Sequence, residues 1–126
     1  KNGGKMAYIR ALYDGKSYGY LVIKCFKRSI YTDNPVYFPP KGMQEDTYMA
    51  TQLIYYTKSM FKLDKALYHY RRTNPGSLSR QRRSKKRLDT SINLMDLYLH
   101  FKDNLTESPI QDVYGRILYY AAWNAY

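Results

Sequence analysis

Two adjacent prolines, Pro39 and Pro40, constrain the fold of this chain more than any other local feature. Proline lacks a backbone N–H and fixes φ, so no helix can run through the pair, and the residue before a proline is held near extended geometry. We therefore expect residues 32–42 to form a turn, a short extended run at 36–38 and a loop. A helix has to begin after them.

The predicted helix after the prolines runs from Glu45 to Leu63. Its apolar residues recur at spacings of four, three and four, which places them on one helix face. They are Met49, Leu53, Tyr56 and Met60. We expect this face to pack into the core.

Two further helices are predicted in the second half of the chain. The first runs from about Arg80 to Lys102, and its buried face is expected to hold Leu88, Ile92, Met95 and Leu99. The second begins at Ser108, with a capping-box spacing and proline at its first helical position. Its expected buried residues are Ile110, Tyr114, Ile117 and Ala121.

Three shorter stretches complete the predicted fold. Residues 6–13 are expected to be a short helix, and residues 18–26 are compatible with either strand or helix. Residues 66–72 alternate in the manner of a half-buried strand. We expect an α+β, mainly helical class, with a short sheet from 36–38 and 66–72, and from 18–26 if that stretch is a strand. This sheet packs on the amphipathic Glu45 helix, and two further helices follow.

The charge is concentrated in one part of the chain. Of the formal net charge of +11, most comes from residues 71–87, which hold cations and no acids, while the other thirteen cations face ten acids. Those cations are Arg71, Arg72, Arg80, Arg82, Arg83, Lys85, Lys86 and Arg87. A basic segment of this kind can meet phosphates, nucleic acid or an anionic membrane surface.

Length and cysteine content place further bounds on the protein. A chain of 126 residues has the size of one domain, and its single cysteine, Cys25, cannot form an internal disulfide. No apolar run approaches the length of a membrane span or a signal peptide. We expect a reducing, cytoplasmic setting. Both ends resemble cuts in a longer protein.

Several short motifs occur in an order that resembles the second half of family-2 glycosyltransferases of the GT-A type. That family has a "K-x-F/Y-K/R-R" segment, an "F-P" loop, an "E-D" pair opening a helix, and an "L-Y-x-Y" strand followed by serine. The corresponding residues here are Lys24, Phe26, Lys27 and Arg28; Phe38 and Pro39; Glu45 and Asp46; Leu67, Tyr68 and Tyr70; and Ser77. The resemblance covers residues 19–79, about half of the chain.

The resemblance implies roles for particular residues. It makes Asp46 the general base that accepts the proton of the acceptor hydroxyl, with Glu45 as its supporting neighbour. It also places Arg71, Arg72 and Ser77 beside the donor diphosphate. The implied reaction moves a sugar, with inversion, from a nucleotide-sugar to a glycan or lipid-linked hydroxyl, as in the synthesis of cell-surface polysaccharide.

The chain departs from the family pattern in its donor side. It contains no Asp-x-Asp motif and no nucleotide-binding glycine motif, and His69 and His100 are isolated. We therefore expect residues 1–79 to be an incomplete acceptor-side part and residues 80–126 a C-terminal helical extension, inactive without the missing N-terminal half. A divalent cation, Mg or Mn, is expected in the full-length enzyme and none on this chain.

Two alternatives follow from the basic segment. The cations between Arg80 and Arg87 are either a solvated helix face or a surface that attracts anionic lipid, which suits a lipid-linked acceptor and a peripheral position at the inner face of the membrane. The rival function is a basic helical module that binds nucleic acid and stacks bases on tyrosines. No helix-turn-helix, zinc or RNP-type motif accompanies the cations, so we expect nucleic acid not to be the partner.

Overall fold

The computed structural model describes residues 3–71, 73, 83–102, 115–119 and 121–123. Residues 115–119 and 121–123 are helical. The other elements, in chain order, are α1 (Gly3–Tyr13), a 3-10 turn (Leu21–Ile23), α2 (Arg28–Thr32), α3 (Glu45–Tyr56) and α4 (Arg83–Lys102). None of the helices in this part of the chain is both long enough and apolar enough to cross a bilayer.

Helix α3 lies at the centre of the fold. It contacts α1, α2, α4 and the 3-10 turn, and every residue from 48 to 54 is buried. A helix that is covered on all sides must satisfy its polar side chains internally, and α3 does so at Thr51 and Gln52. The Thr51 hydroxyl, for example, lies 2.8 Å from the hydroxyl of Tyr13 in α1.

The core around α3 is formed by side chains from four parts of the chain. Its fully buried members include Ile9 of α1, Tyr48 and Ile54 of α3, Leu94 and Leu97 of α4, and Ile117. Burial of side chains of this size contributes about 1.5–3 kcal/mol each. Two polar contacts also link the C-terminal helical residues to the rest of the fold: Arg116 contacts Asp14, directly after α1, and the Ser91 hydroxyl of α4 donates to the carbonyl of Ala121.

The predicted first helix is confirmed, and it begins three residues earlier than expected. It ends at Tyr13, and Gly15, two residues later, has φ +68°, a conformation that glycine adopts without a Cβ penalty. The N–H groups of Asp14 and Lys16 donate to the carbonyls of Arg10 and Ala11. These bonds satisfy the last turn of α1.

Helix α3 begins at Glu45 as predicted but ends at Tyr56, seven residues before the predicted end. Two side chains account for the stop, because they satisfy carbonyls that the last turn leaves open. Lys5 Nζ donates to the carbonyl of Tyr55 at 2.8 Å, and the Thr57 hydroxyl donates to the carbonyl of Leu53 at 2.8 Å. Met60 is therefore not part of the buried helix face.

The predicted sheet is wrong, because none of the described residues belongs to a β-strand and the fold is mainly helical. Residues 58–71 are exposed without exception, and they make no backbone hydrogen bond with another described residue. Alternation favours an extended backbone, but a sheet also needs a neighbouring strand. Residues 36–38 are irregular, and at Tyr37 the main chain bonds to a side chain of α3 instead of a strand.

Residues 18–26 form neither a full strand nor a full helix. Their regular part is the single 3-10 turn, and residues 18–20 and 24–26 are irregular. Val22 and Ile23 are about half exposed. The apolar character of this stretch is therefore only partly used in the core.

Helix α4 buries a different face from the predicted one. Leu88, Met95 and Leu99 are 44–60% exposed, and the buried positions of the helix are Thr90, Asn93, Leu94, Leu97 and Phe101. The spacing of apolar residues could not identify this face, because two of its members are polar. The predicted start near Arg80 lies outside the described residues.

The last predicted helix is described only in part. Ile117 and Ala121 are helical and buried, as expected. Its predicted start at Ser108, with Ile110 and Tyr114, lies outside the described residues.

Candidate functional site

The acidic pair Glu45–Asp46 forms the first turn of α3. Both residues are partly exposed, and neither carboxylate is hydrogen-bonded or ion-paired to a side chain in the described part of the chain. The unpaired N–H groups of a helix N-terminus stabilise a negative charge there by about 0.3–1 kcal/mol. The pair thus combines charge, access to solvent and a fixed helical backbone.

The residue before the pair has an unusual backbone conformation. Gln44 adopts φ 61° and ψ 20°, in the left-handed region, and it is the one non-glycine residue with positive φ among those described. Such a conformation costs about 1–3 kcal/mol and persists only where the surroundings hold it. Here the Thr47 hydroxyl donates to Gln44 Oε1 at 3.0 Å, and the Tyr48 N–H donates to the Gln44 carbonyl at 3.0 Å.

The loop that leads to the pair, residues 35–43, is here called the proline loop. The first loop residue whose backbone is held by hydrogen bonds to a helix is Tyr37. The Tyr37 N–H donates to Gln52 Oε1 at 2.8 Å, and Gln52 Nε2 donates to the Tyr37 carbonyl at 2.9 Å. Gln52 is 1% exposed, so a buried amide in α3 satisfies both backbone groups of one loop residue.

The second such residue is Lys41, four residues further on, and its partner side chain belongs to α4. The Lys41 N–H donates to Asn93 Oδ1 at 2.9 Å, and Asn93 Nδ2 donates to the Lys41 carbonyl at 2.9 Å and also to the carbonyl of Met43. Asn93 is completely buried. The last of these carbonyls is two residues before Glu45. The amides of Gln52 and Asn93 therefore fix the proline loop from two helices and set the angle at which the chain enters α3.

On its other side, the start of α3 is covered by Gly19. A Cβ placed on Gly19 would lie 2.3 Å from Thr47 Oγ1 and 3.0 Å from Thr47 Cα, so only glycine fits this contact. Lys24 holds the same turn, because its Nζ donates to the carbonyls of Tyr18 at 2.6 Å and Tyr20 at 2.8 Å. This brings the residues on either side of Gly19 close to the acidic pair.

Other residues of the family-like motifs have structural positions. Phe26 packs against the core, Arg28 opens α2, and Phe38 is exposed with its ring edge-on to Tyr31 at 6.0 Å. Of the predicted diphosphate ligands, Arg71 is exposed at the end of residues 58–71, whereas Arg72 and Ser77 lie outside the described residues.

Of the predicted cationic surface, the structure describes the side chains of Lys86 and Arg87, in the first half of α4. Arg87 is exposed and Lys86 is partly exposed. Arg80 and Arg82 lie outside the described residues, and of Arg83 and Lys85 only the helical backbone is described.

A polar cluster that sequence reasoning missed joins α3 to α4. The Tyr48 hydroxyl donates to Asp96 Oδ2 at 2.5 Å, and His100 Nδ1 lies 3.5 Å from the same oxygen. The ring of Tyr37 lies 4.1 Å from the His100 ring. Burial, and next the hydrogen bond to Asp96, raise the pKa of Tyr48 well above its ordinary value, so this phenol stays neutral. The i, i+4 spacing of Asp96 and His100 was the available signal.

The pocket beside this cluster is too small for a substrate. It encloses only about 10 Å³, the space of roughly one water molecule, against roughly 300–1,000 Å³ for typical ligand sites. Its lining residues are Pro35, Tyr37, Gln52, Tyr56, His100 and Phe101. We therefore regard the exposed start of α3 as the candidate site.

The described residues do not provide a metal centre. No group of three or more His, Cys, Asp or Glu side chains among them could hold an ion. The divalent cation that the resemblance implies for the full-length enzyme stays a prediction.

Comparison of the chain with protein-family models, with curated proteins and with solved structures gives no match.

Proposed function

We propose that this chain is the acceptor-side portion of an inverting glycosyltransferase and that Asp46 is its general base. The observation that carries the proposal is the placement of the acidic pair. Glu45 and Asp46 open α3 with their carboxylates accessible, directly after a loop whose backbone is fixed by two buried amides. This is the position that the resemblance assigns to a catalytic carboxylate.

The proposed reaction is a single displacement at the anomeric carbon of a nucleotide-sugar. The acceptor oxygen forms a bond to that carbon while its proton passes to the Asp46 carboxylate, and the bond to the nucleotide diphosphate breaks, so the leaving group takes the electron pair. One carboxylate within hydrogen-bond reach is sufficient, and such a base contributes about 10²- to 10⁴-fold in rate.

The fixed entry into α3 supports this role. A base must stay within a fraction of an ångström of its productive position, and side chains supported by buried hydrogen bonds meet that demand better than free loops. Glu45, as its neighbour, would bind acceptor hydroxyls and keep the pocket polar.

The remaining parts of the proposal concern groups at the edge of the chain or beyond it. Arg71, with Arg72 and Ser77, would contact the donor diphosphate and stabilise the charge that develops on it. The donor-binding half and the divalent cation would belong to other residues of the same protein, so the chain alone is expected to be inactive. A cytoplasmic position at the inner face of the membrane suits the cations of α4, which would gain about 1 kcal/mol each from anionic lipid.

The test is Asp46→Asn in the intact protein. Transfer, measured as product formed from the nucleotide-sugar, should fall at least about 100-fold, while donor binding measured by calorimetry should be unchanged. Asp64→Asn is the matched control, since that carboxylate is 79% exposed and pairs only with the exposed Lys62 among the described residues. If Asp46→Asn transfers sugar at a rate comparable to the wild type, Asp46 is not the base.

A further inference from the structure

Helix α4 carries apolar side chains on two faces. Its inner face packs into the core. A second row of apolar residues, at spacings of four, three and four, lies on the opposite side of the helix. These residues are Leu88, Met95 and Leu99, which are 44–60% exposed, and Ile92, which is partly exposed. We call the four residues the outer strip.

The outer strip is unusual for a helix at the surface of a fold. Such a helix normally turns an apolar stripe inward and polar or charged residues outward. The strip covers about 16 Å of the helix axis, at the usual rise per residue. Contiguous apolar surface that stays open to solvent commonly marks a site of interaction, so the strip is a candidate contact surface.

Positive charge accompanies the outer strip. By sequence, α4 carries five Lys or Arg residues and two Asp residues. Arg87 directly precedes the strip and Lys102 lies three residues beyond its end, and both are exposed. The acids are less available, since Asp89 is only partly exposed and Asp96 accepts a hydrogen bond from the Tyr48 hydroxyl. The strip is thus an apolar row with a cation near each end.

These charges disfavour a second copy of the chain as the partner. In a parallel pair of α4 helices, Arg87 would lie near its own copy. In an antiparallel pair centred on the strip, Arg87 of one helix would lie near Lys102 of the other, because both residues lie about seven positions from the centre. Either arrangement brings like charges together, which is destabilising.

An anionic membrane surface matches both properties of the strip. Amphipathic helices at such surfaces bury apolar side chains at the boundary of the lipid chains while Lys and Arg attract the headgroups, and long cationic side chains reach the headgroups from the ends of a helix. Nucleic acid would use the cations and leave the apolar row exposed. A partner protein usually anchors side chains in a pocket, and the pocket beside α4 lies at Phe101, on its inner face.

We infer that the outer strip of α4 inserts into the headgroup region of an anionic membrane, with Arg87 and Lys102 contacting the lipid headgroups. The helix lies in the plane of the surface. This inference extends the membrane position proposed above, which relied on the cations alone, and it does not depend on Asp46 being a base.

The test measures binding of the full chain to lipid vesicles by sedimentation. The vesicles are phosphatidylcholine with and without roughly one-third phosphatidylserine. The chain should bind the anionic vesicles at least about tenfold more tightly, since each cation near such a surface contributes roughly a factor of five. No binding to the anionic vesicles, or equal binding to both kinds, overturns the inference.

Leu88→Gln tests the insertion of the apolar row, because glutamine keeps a high helix propensity and removes the apolar side chain. Binding to anionic vesicles should weaken at least about fivefold, since a half-exposed leucine gains only part of its full transfer free energy. Leu63→Gln is the matched control: Leu63 is 64% exposed and lies outside α4, so this variant should bind like the wild type. Leu99→Gln replaces Leu88→Gln if circular dichroism shows that the latter does not fold. Undiminished binding by the strip variant overturns the inference.

Arg87→Gln tests the contribution of charge. It should weaken binding to anionic vesicles roughly fivefold and leave binding to neutral vesicles unchanged. Lys27→Gln makes the same change in net charge at an exposed residue directly before α2, and its effect should be less than about twofold. Equal losses in the two variants would mean that the net charge of the whole chain attracts the membrane, which contradicts a contact at α4.

Rival partners are tested with the same variants. Binding of an oligonucleotide that Arg87→Gln weakens, without vesicle binding, would assign this face to nucleic acid. A dimer in sedimentation equilibrium that Leu88→Gln dissociates, without vesicle binding, would assign it to a second copy. Either result overturns the inference.

Vesicle binding and sugar transfer are separate measurements. Vesicle binding that depends on Leu88, together with undiminished transfer by Asp46→Asn, supports the membrane contact and contradicts Asp46 as base. Loss of transfer in Asp46→Asn, without vesicle binding by the wild type, contradicts the membrane contact and leaves the base intact.

Discussion

The proline loop, residues 35–43, and the exposed segment, residues 58–71, are two non-helical stretches with similar aromatic content and opposite environments. Both contain segments predicted as strands. The backbone of the proline loop is bonded at Tyr37 and Lys41 to buried amides, whereas the exposed segment makes no backbone hydrogen bond with another described residue. A non-helical stretch is fixed by partners for its N–H and C=O groups, and a helix can supply them through Gln or Asn.

Loss of the Gln52 or Asn93 side-chain amide is expected to lower the stability of the fold strongly. A net hydrogen bond contributes about 1 kcal/mol, but a buried donor or acceptor left without a partner costs about 1–3 kcal/mol. Removing one amide in the core therefore has a larger effect than removing any exposed side chain. Three substitutions, taken in order of expected effect, test this contrast.

Asn93→Leu should have the largest effect. It removes the partners of the Lys41 N–H and carbonyl and of the Met43 carbonyl, and we expect a loss of about 2–4 kcal/mol in the free energy of unfolding. Urea denaturation measures it. Hydrogen exchange at the Lys41 amide should accelerate in parallel.

The control for Asn93→Leu is Asn34→Ala, which removes one bond to the carbonyl of Ile30 from a partly exposed residue. Its cost should be about 0.5–1.5 kcal/mol. If both substitutions cost the same, the proline loop is no better fixed than an ordinary surface turn.

Tyr48→Phe should have an intermediate effect, because it removes the hydroxyl that joins α3 to Asp96 of α4. Near pH 7 we expect a loss of about 1–2 kcal/mol in unfolding free energy, from denaturation at that pH.

The pH dependence of the unfolding free energy provides a second test of Tyr48. Burial raises the pKa of Tyr13, Tyr48 and Tyr56 in the folded protein above the ordinary value of 10.0. The unfolded chain then loses these protons first, so stability is full below about pH 10 and falls as the pH rises above it, by at most about 1.4 kcal/mol per pH unit for each tyrosine. Tyr48→Phe should fall less steeply between pH 10 and 11.5. An unchanged slope would contradict the assignment to Tyr48.

Phe61→Ser should have the smallest effect. Phe61 is 95% exposed in the exposed segment, and substitutions at such positions usually change stability by less than about 0.5 kcal/mol. Phe101→Ser, in the core of α4, provides the contrasting measurement and should cost several times more. A loss above 1 kcal/mol for Phe61→Ser would show that the exposed segment is covered in solution.

The parts of the fold that sequence predicted correctly depend on local chemistry. The start of α3 at Glu45 follows from Pro39 and Pro40, whose effect on the backbone does not depend on the rest of the chain. The end of α1 follows from Gly15. In contrast, the end of α3 depends on Lys5, fifty residues away in the chain, and the buried face of α4 contains Asn93, which looks like a surface residue until its backbone partners are known.

In the candidate site, too, the features set by local sequence were predictable and those set by long-range contacts were not. The sequence could predict that Glu45 and Asp46 begin a helix, because helix starts favour acids. It could not predict the cluster of Tyr48, Asp96 and His100, since that contact joins residues about fifty positions apart. Nor could it show that Tyr20 stacks on Tyr70. The roles proposed for Asp46, Arg71, Arg72 and Ser77 stay predictions.

Asn93 has a mechanical consequence for the acidic pair. Its amide belongs to α4 but bonds to the main chain two residues before Glu45. The position of α4 is therefore coupled to the position of the first turn of α3. A rotation of α4 would displace the main chain before Glu45 through the bonds that Asn93 makes at Lys41 and Met43, and small shifts at a base alter rate. The orientation of Asp46 therefore depends on α4, a helix that carries none of the proposed chemistry.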